Sequence, residues 1–188
     1  FLNGVAVGAS LALDDNASSS QAAASAIAKA AAINKVADQS GVYAKASHNT
    51  VSGSKMTASS VTGTVTINGV TTDSFATSTD TSISRKNAVA AINAKSALTG
   101  VTATDTGDDE TGISLLAADG RNIVVAVTGV TSASTGLIAG TFVGSYELYT
   151  VDGRDINVSY ADGAQSVEAM SGLRAGTYKA CLLYTSPS

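Results

Sequence analysis

The sequence predicts an α+β protein made of two tandem units, each a helix packed on a small antiparallel sheet, followed by a β-rich meander. Three observations carry that expectation: apolar residues recur at helical spacing in two stretches, the segments around them alternate with period two, and the helical stretch is duplicated. Aligning Ala31 to Ala44 with Ala90 to Ala103 pairs Ile33 with Ile92, Asn34 with Asn93, Gly41 with Gly100, Val42 with Val101 and Ala44 with Ala103, each 59 residues apart. On this reading residues 1–60 form the first helix-plus-strands unit and 61–128 the second. Residues 129–180 form the β-rich segment, and 181–188 are a non-native tail.

The elements follow in order. Leu2-Asn3-Gly4-Val5 and Ile67-Asn68-Gly69-Val70 precede the two blocks as matching strand-like pieces. The first helix is expected over Ser19 to Gln39, with Ala23, Ile27, Ala30, Ile33 and Ala37 on one face, caps from Asp14 to Ser18, and Gly41 as its stop. The second is expected over Ser84 to Ala97, with caps from Asp80 to Ser82, a stripe of Ala88, Val89 and Ile92, and Gly100 as its stop. Each then turns into a β-like step, Val42 to Ala46 and Val101 to Thr104.

Between the helices, Val61, Gly63, Val65, Ile67 and Gly69 alternate with Thr62, Thr64, Thr66 and Asn68, so the Thr face should meet water. Gly112 to Ala117 and Arg121 to Thr128 flank Ala118-Asp119-Gly120, which predicts a tight hairpin because glycine tolerates positive φ. Val151-Asp152-Gly153-Arg154-Asp155-Ile156 echoes Ala118-Asp119-Gly120-Arg121-Asn122-Ile123, and Asp162-Gly163 repeats the device more weakly. Thr128 to Gly144 is rich in Gly, Ser and Thr, with little pattern beyond Leu137-Ile138 and Phe142-Val143, and reads as a loop or linker with room for a short strand.

Composition excludes several functions. A net charge of −4 and a pI near 4.7, with Lys and Arg scattered singly and only Arg85 and Lys86 adjacent, offer no basic surface for nucleic acid. These cations read as solvated surface charge. Every apolar run is interrupted by Ser, Thr or Asn well short of the roughly 20 residues that cross a bilayer, so no membrane insertion is expected. The chain begins with Phe1, which places any start codon and targeting signal upstream. Its single cysteine and single proline both fall in Cys181 to Ser188, an octapeptide that resembles translated adapter sequence; without it, disulfide and thiolate chemistry are absent.

Candidate catalytic constellations fail on chemistry, and no enzyme, cofactor or metal centre is expected. Asp105-Thr106-Gly107 matches the triplet of aspartic proteases, which need two such aspartates sharing a proton. Here a second copy is lacking and Asp108, Asp109 and Glu110 follow at once. The same acidic turn could offer oxygen ligands to Ca²⁺, but its spacing departs from the EF-hand loop, so it reads as an acidic surface loop. His48, the one histidine, lies in a polar stretch with no Gly-x-Ser-x-Gly elbow to supply a nucleophile. Asn34 and Asn93 stand out because each sits beside an isoleucine on an alanine-rich helix. Either they face solvent, or their amides bond backbone groups of the preceding Asn-Gly loop.

The segments Ala31-Ala32-Ile33-Asn34 to Gly41-Val42 and Ala90-Ala91-Ile92-Asn93 to Gly100-Val101 resemble the hook "IN" motif of the central region of bacterial flagellins. The run Ile113 to Ala118 with Asp119-Gly120-Arg121-Asn122-Ile123 looks like the strand pair that follows that motif. The likeness spans roughly residues 1 to 128 and fades from Gly129 to Tyr178, although Gly172 to Tyr178 is similar to the exit of such a region. It implies an extracellular structural subunit of the bacterial flagellum that supports motility. It further implies partner flagellin subunits bound through terminal helices absent from this chain, and O-linked glycans on exposed Ser or Thr at positions the sequence does not assign, the Thr62, Thr64 and Thr66 face being accessible if the strand polarity holds. A hook-associated or cap protein is a close relative of that expectation. An adhesin module is the rival, and ought to show Ig-like β units without the two helices.

Overall fold

The computed structural model describes residues 1–161 and 171–179; the Asp162-Gly163 turn and the 181–188 tail expected from sequence lie outside them. The protein is α+β. Leu2 to Val5 closes a tight turn in which Asn3 and Gly4 take φ of 49° and 82° while Leu2 and Val5 exchange backbone hydrogen bonds of 2.8 and 2.9 Å. Asn-Gly reaches that doubly left-handed geometry at little cost, and it matches the twist of paired strands. The first helical stretch is interrupted where the sequence suggested continuity: a 3₁₀ turn at Ala22–Ala24 precedes α1 (Ala26–Asn34) and α2 (Ala37–Ser40). Its cap is Ser25, whose Oγ accepts from the Ala28 N–H at 3.1 Å. Asp15, expected among the caps, instead closes its own turn by accepting from the N–H groups of Ala17 and Ser18.

β1 (Tyr43–Ala46) and β2 (Asn49–Val51) follow, then β3 (Thr62–Ile67), β4 (Val70–Thr71) and β5 (Phe75–Ala76). Asn68 and Gly69, at φ 50° and 84°, join β3 to β4 in the same tight turn as Asn3-Gly4. Val65 and Ile67 are buried while Thr62 is exposed and Thr64 and Thr66 are half-buried, the polarity the alternation predicted. α3 (Thr81–Asn93) starts at Asp80, whose Oδ1 accepts from Ser82 N–H at 2.9 Å, and α4 (Ser96–Thr99) ends at Gly100. Then come β6 (Thr102–Asp105), β7 (Ile113–Ala117), β8 (Ile123–Thr128), α5 (Ser132–Thr135), β9 (Gly140–Phe142), β10 (Tyr146–Tyr149), β11 (Ile156–Val158) and β12 (Gly176–Tyr178). The stretch Thr128 to Gly144, read as a loop or linker with a short strand, holds that strand as β9 and, beyond the expectation, the capped helical turn α5.

Pairing shows that the two units are nested. β1 pairs with β10 across a hundred residues, Ala44 opposite Leu148, and the isolated bridge Leu2 to Val158 joins the first turn to β11, which pairs with β12. Everything between Ala46 and Tyr146 makes a second unit, with sheets β2-β7-β6 and β4-β3-β8-β9. The inner unit repeats the outer register for register. Ala103 faces Leu115 as Ala44 faces Leu148, Ile67 faces Val125 as Leu2 faces Val158, and Ile123 faces Phe142 as Ile156 faces Tyr178. The sequence segments 1–60, 61–128 and 129–180 therefore do not coincide with the paired units, because β10, β11 and β12 complete the first unit and β2 and β9 belong to the second.

The repeat also reaches further than the helices. Gly136-Leu137-Ile138-Ala139-Gly140-Thr141-Phe142 returns as Gly172-Leu173-Arg174-Ala175-Gly176-Thr177-Tyr178. Each unit has its own buried cluster, Val65, Ile67, Ile92, Ile113, Ile123 and Leu137 within the inner, Leu2, Ile33, Val42, Ile156 and Val158 within the outer. The expected hairpin at Ala118-Asp119-Gly120 is not formed. Both edges of β7 are taken by β2 and β6, and β8 lies between β3 and β9, so the turn carries the chain from one sheet to the other. Asp152-Gly153 does the same between β10 and β11. No helix of the described residues is long and apolar enough to cross a membrane.

Candidate functional site

The residues singled out by the duplicated motif assemble into two equivalent clamps. Ile33 and Ile92 are buried at 4% and 1% exposure and anchor α1 and α3 to the sheets. One residue on, Asn34 grips the following strand with both ends of its amide: Nδ2 donates to Ala44 O at 2.9 Å and Oδ1 accepts from Ala44 N–H at 2.8 Å. Asn93 makes the same pair with Ala103, at 2.9 and 2.7 Å. The partner is therefore the strand ten residues downstream and not the preceding Asn-Gly loop. Helix end and strand start run side by side, and an asparagine amide mimics the donor–acceptor pair of a neighbouring strand.

The Asn-Gly turns supply the other half of each clamp. Asn3 Nδ2 donates to Ser40 O at 3.0 Å and its Oδ1 accepts from Asn157 N–H at 2.7 Å; Asn68 does the same to Thr99 O at 3.0 Å and from Val124 N–H at 2.9 Å. Hydroxyls of Ser40 and Thr99 then accept from Val42 and Val101 N–H, closing the corner that Gly41 and Gly100, both at φ 69°, make possible.

Asp119, Gly120, Arg121 and Asn122 lock this corner in the inner unit. Asp119 accepts from Arg121 Nε at 2.8 Å and Nη2 at 2.7 Å, while Arg121 Nη1 donates to Thr99 O at 3.2 Å, so the guanidinium lies over Gly100. Burial pushes the Asp119 carboxyl up, but the Arg121 contacts outweigh it and hold it below the usual carboxylate range. In the outer unit Asp152 accepts from Arg154 Nε at 2.6 Å and the guanidinium likewise lies over Gly41. Asn122, fully buried, ties the units together: its N–H donates to Ser18 Oγ at 2.9 Å and its Nδ2 to the carbonyls of Ser20 and Gln21.

The acidic turn is organised by a residue that reading the cations as solvated charge misplaced. Arg85 is 4% exposed on the inner side of α3; its Nε donates to Asp105 Oδ1 at 2.6 Å and its Nη1 to Asp109, whose other oxygen accepts from Thr81 Oγ1 at 2.8 Å. Partial burial raises the Asp105 carboxyl, and the Gly107 N–H and Arg85 more than reverse it; the Thr81 hydroxyl and then Arg85 hold Asp109 down. Both are anions paired with a cation, the opposite of two carboxyls sharing a proton. A sequence signal existed, since Arg85, Ala88 and Ile92 fall at i, i+3 and i+7 of one helix face. His48 is exposed, and among the described residues no group of His, Cys, Asp and Glu is arranged to hold a metal ion. No family model matches the chain, and no curated protein matches it.

Proposed function

We propose that this chain is the surface-exposed middle region of a flagellar filament subunit, an outward-facing structural module in an extracellular filament. The observation that carries the reading is the helix–Asn–Gly–strand clamp, built twice from the same residue types with the same hydrogen bonds. A second feature suits it: Leu2 of the first turn and Gly176 of β12 both pair with Val158, so those two elements stand on either side of β11. Elements distant in sequence that meet on one strand suit a module inserted into a longer chain. The carboxylates of Asp105, Asp109, Asp119 and Asp152 are engaged by arginines, which fits a frame better than a reactive site. Subunit contacts through flanking helices, and O-linked glycans on the Thr face of β3, belong to the same proposal.

The test is immunogold labelling of cells expressing the full coding sequence, with antibody raised against this chain. Gold along the whole filament is the expected result. Gold confined to the filament tip or hook would replace the reading by a cap or hook-associated protein, and gold over the cell envelope without filaments by an adhesin.

A further inference from the structure

The link from Asn-Gly turn to helix differs between the two units. The turns align 65 residues apart and the helices 59 apart, so six extra residues stand between Val5 and Ile33 of the outer unit. The added length is taken up by a loop, residues 10–24. Ser10 Oγ closes its base by donating to Ala23 O at 2.6 Å, and Asp14 ties it to Lys35 at 2.6 Å. The loop contributes little to either core: Asp15 is its one buried residue, and none of its residues belongs to an apolar cluster. At Gln21 the backbone takes φ 52°, a left-handed conformation that residues other than glycine adopt at a cost. Yet its tip covers Asn122 of the inner unit, which has no exposed surface. The Asn122 N–H donates to Ser18 Oγ at 2.9 Å, and its Nδ2 to the carbonyls of Ser20 and Gln21 at 3.0 and 3.2 Å. At the matching outer corner the residue is Asp155, half-buried and paired with Lys179 at 2.7 Å.

The backbone crosses between the units twice, at residues 47–48 and 143–145, and the crossings lie side by side with Ser47 N–H bonded to Ser145 O at 2.9 Å. Gly120 and Gly144 pack there backbone to backbone: a Cβ on Gly120 would stand 2.5 Å from Ser47 O, and one on Gly144 2.7 Å from Gly120 O. Two short adjacent crossings with no side chain at those contacts have the form of a hinge. We propose that residues 10–24 are a strap that fixes the angle between the units. The strap lifts off Asn122 while both units stay folded, leaving them to swing about the crossings. Lifting it trades the Asn122 bonds for bonds to water and relieves Gln21, and neither apolar cluster loses a member. A segment that buries so little opens before the strands it covers.

Native-state hydrogen exchange on the full chain tests the opening. The Asn122 amide, held by the strap, should exchange at least about tenfold faster than the Val124 amide two residues on, which bonds to Asn68 Oδ1 within the inner unit. Its rate should also depend little on denaturant, since little surface is exposed. Equal rates with a common steep denaturant dependence would mean that the strap opens only when the inner unit unfolds, and would overturn the proposal. The hinge is tested by residual dipolar couplings on Asn122→Asp, which copies the outer corner and turns an anion toward the Ser20 and Gln21 carbonyls. Asn122→Ala takes its place if that variant does not fold. In the wild type one alignment should fit both units, and in the variant the inner and outer couplings should require two. A folded variant whose couplings still fit a single alignment would overturn the strap as the element that sets the angle.

Discussion

The inner unit buries Val65, Ile67, Ile92, Ile113, Leu115, Ile123 and Leu137 to 1% exposure or less, whereas the outer unit leaves Ile33 at 4% and Ile156 at 7%, beside an open cavity. Three substitutions account for much of that difference: Ala88, Ile113 and Val127 of the inner unit are Lys29, Tyr146 and Tyr160 in the outer. Tyr146 carries the consequence, since burial and the neighbouring Tyr160 push its phenol up to about 12, and its hydroxyl donates to Ser171 O at 2.7 Å. Yet both units keep the same corner, the same Asn-Gly turn and the same asparagine clamp. The comparison teaches that the polar frame specifies this fold and the apolar fill sets how firmly each copy holds it.

The sharpest way to break the comparison is to remove the same core side chain from each copy. Ile92→Ala should cost about 2–5 kcal/mol, because the tightly surrounded site cannot collapse around the lost atoms. Ile33→Ala should cost distinctly less, because that side chain already borders a cavity and little new void is created. Thermal unfolding of the two variants checks this, and an equal fall in Tm would mean that the outer core is as tightly filled as the inner.

The two corner glycines give a smaller contrast. Both sit at φ 69°, where any L side chain costs roughly 1–2 kcal/mol. A Cβ on Gly100 would overlap the Arg121 guanidinium, which is pinned by Asp119 and Thr99 O, whereas a Cβ on Gly41 would stand 3.2 Å from the more exposed Arg154. Gly100→Ala should therefore lower the denaturation midpoint more than Gly41→Ala, with Arg121→Ala narrowing the gap.

Much of this frame was legible. Gly41 and Gly100 as helix stops, Asp80 as a cap and the inward Val65 and Ile67 follow from local chemistry, which acts over a few residues and leaves a short-range signature. The nesting was not, because strand partners such as Ala44 and Leu148 are chosen by which edges remain free once the chain has folded. Asp119-Gly120 illustrates the limit: the dipeptide specifies a turn, but only the occupied edges of β7 decide that the turn leaves the sheet. Asn34 and Asn93 were recognisable as unusual, while their partners became visible only when the helix end and strand start lay side by side. Arg85 was missed although its helical phase with Ala88 and Ile92 pointed inward; a buried arginine also needs carboxylates, and Asp105 and Asp109 come from a turn about twenty residues away.

The asparagine clamps come next in size. Asn93→Ala leaves the Ala103 N–H and carbonyl without their partners at an exposed helix end, so water replaces part of the loss and the expected cost is about 1 kcal/mol. Asn34→Ala should cost a similar amount, since the bond lengths agree within 0.1 Å in each pair. Faster hydrogen exchange at Ala103 or Ala44 locates each effect in its own copy, and a Tm unchanged by both replacements would remove the clamp from the frame.

Acid provides the gentlest contrast, because only the inner unit carries the Arg85 pair; the matching outer positions are Ala26 and Ala46. Asp105 and Asp109 titrate below the ordinary carboxylate value in the folded protein, so their contribution is fully present above that value and is lost as pH falls through the lowered folded values. Stability should decline below about pH 4 on their account. Asp15, Asp119 and Asp152 are lowered in the same direction, so the wild-type protein weakens as a whole and the informative quantity is a difference. Arg85→Gln should shrink the fall in Tm between about pH 7 and pH 3, without abolishing it, because the Gly107 N–H still favours the Asp105 anion. The fall should shrink in the exchange protection of Ala103 and stay unchanged at Ala44, where no arginine bridges helix to turn. An identical acid response in wild type and variant would show that the Arg85 contacts are made without stabilising the inner unit.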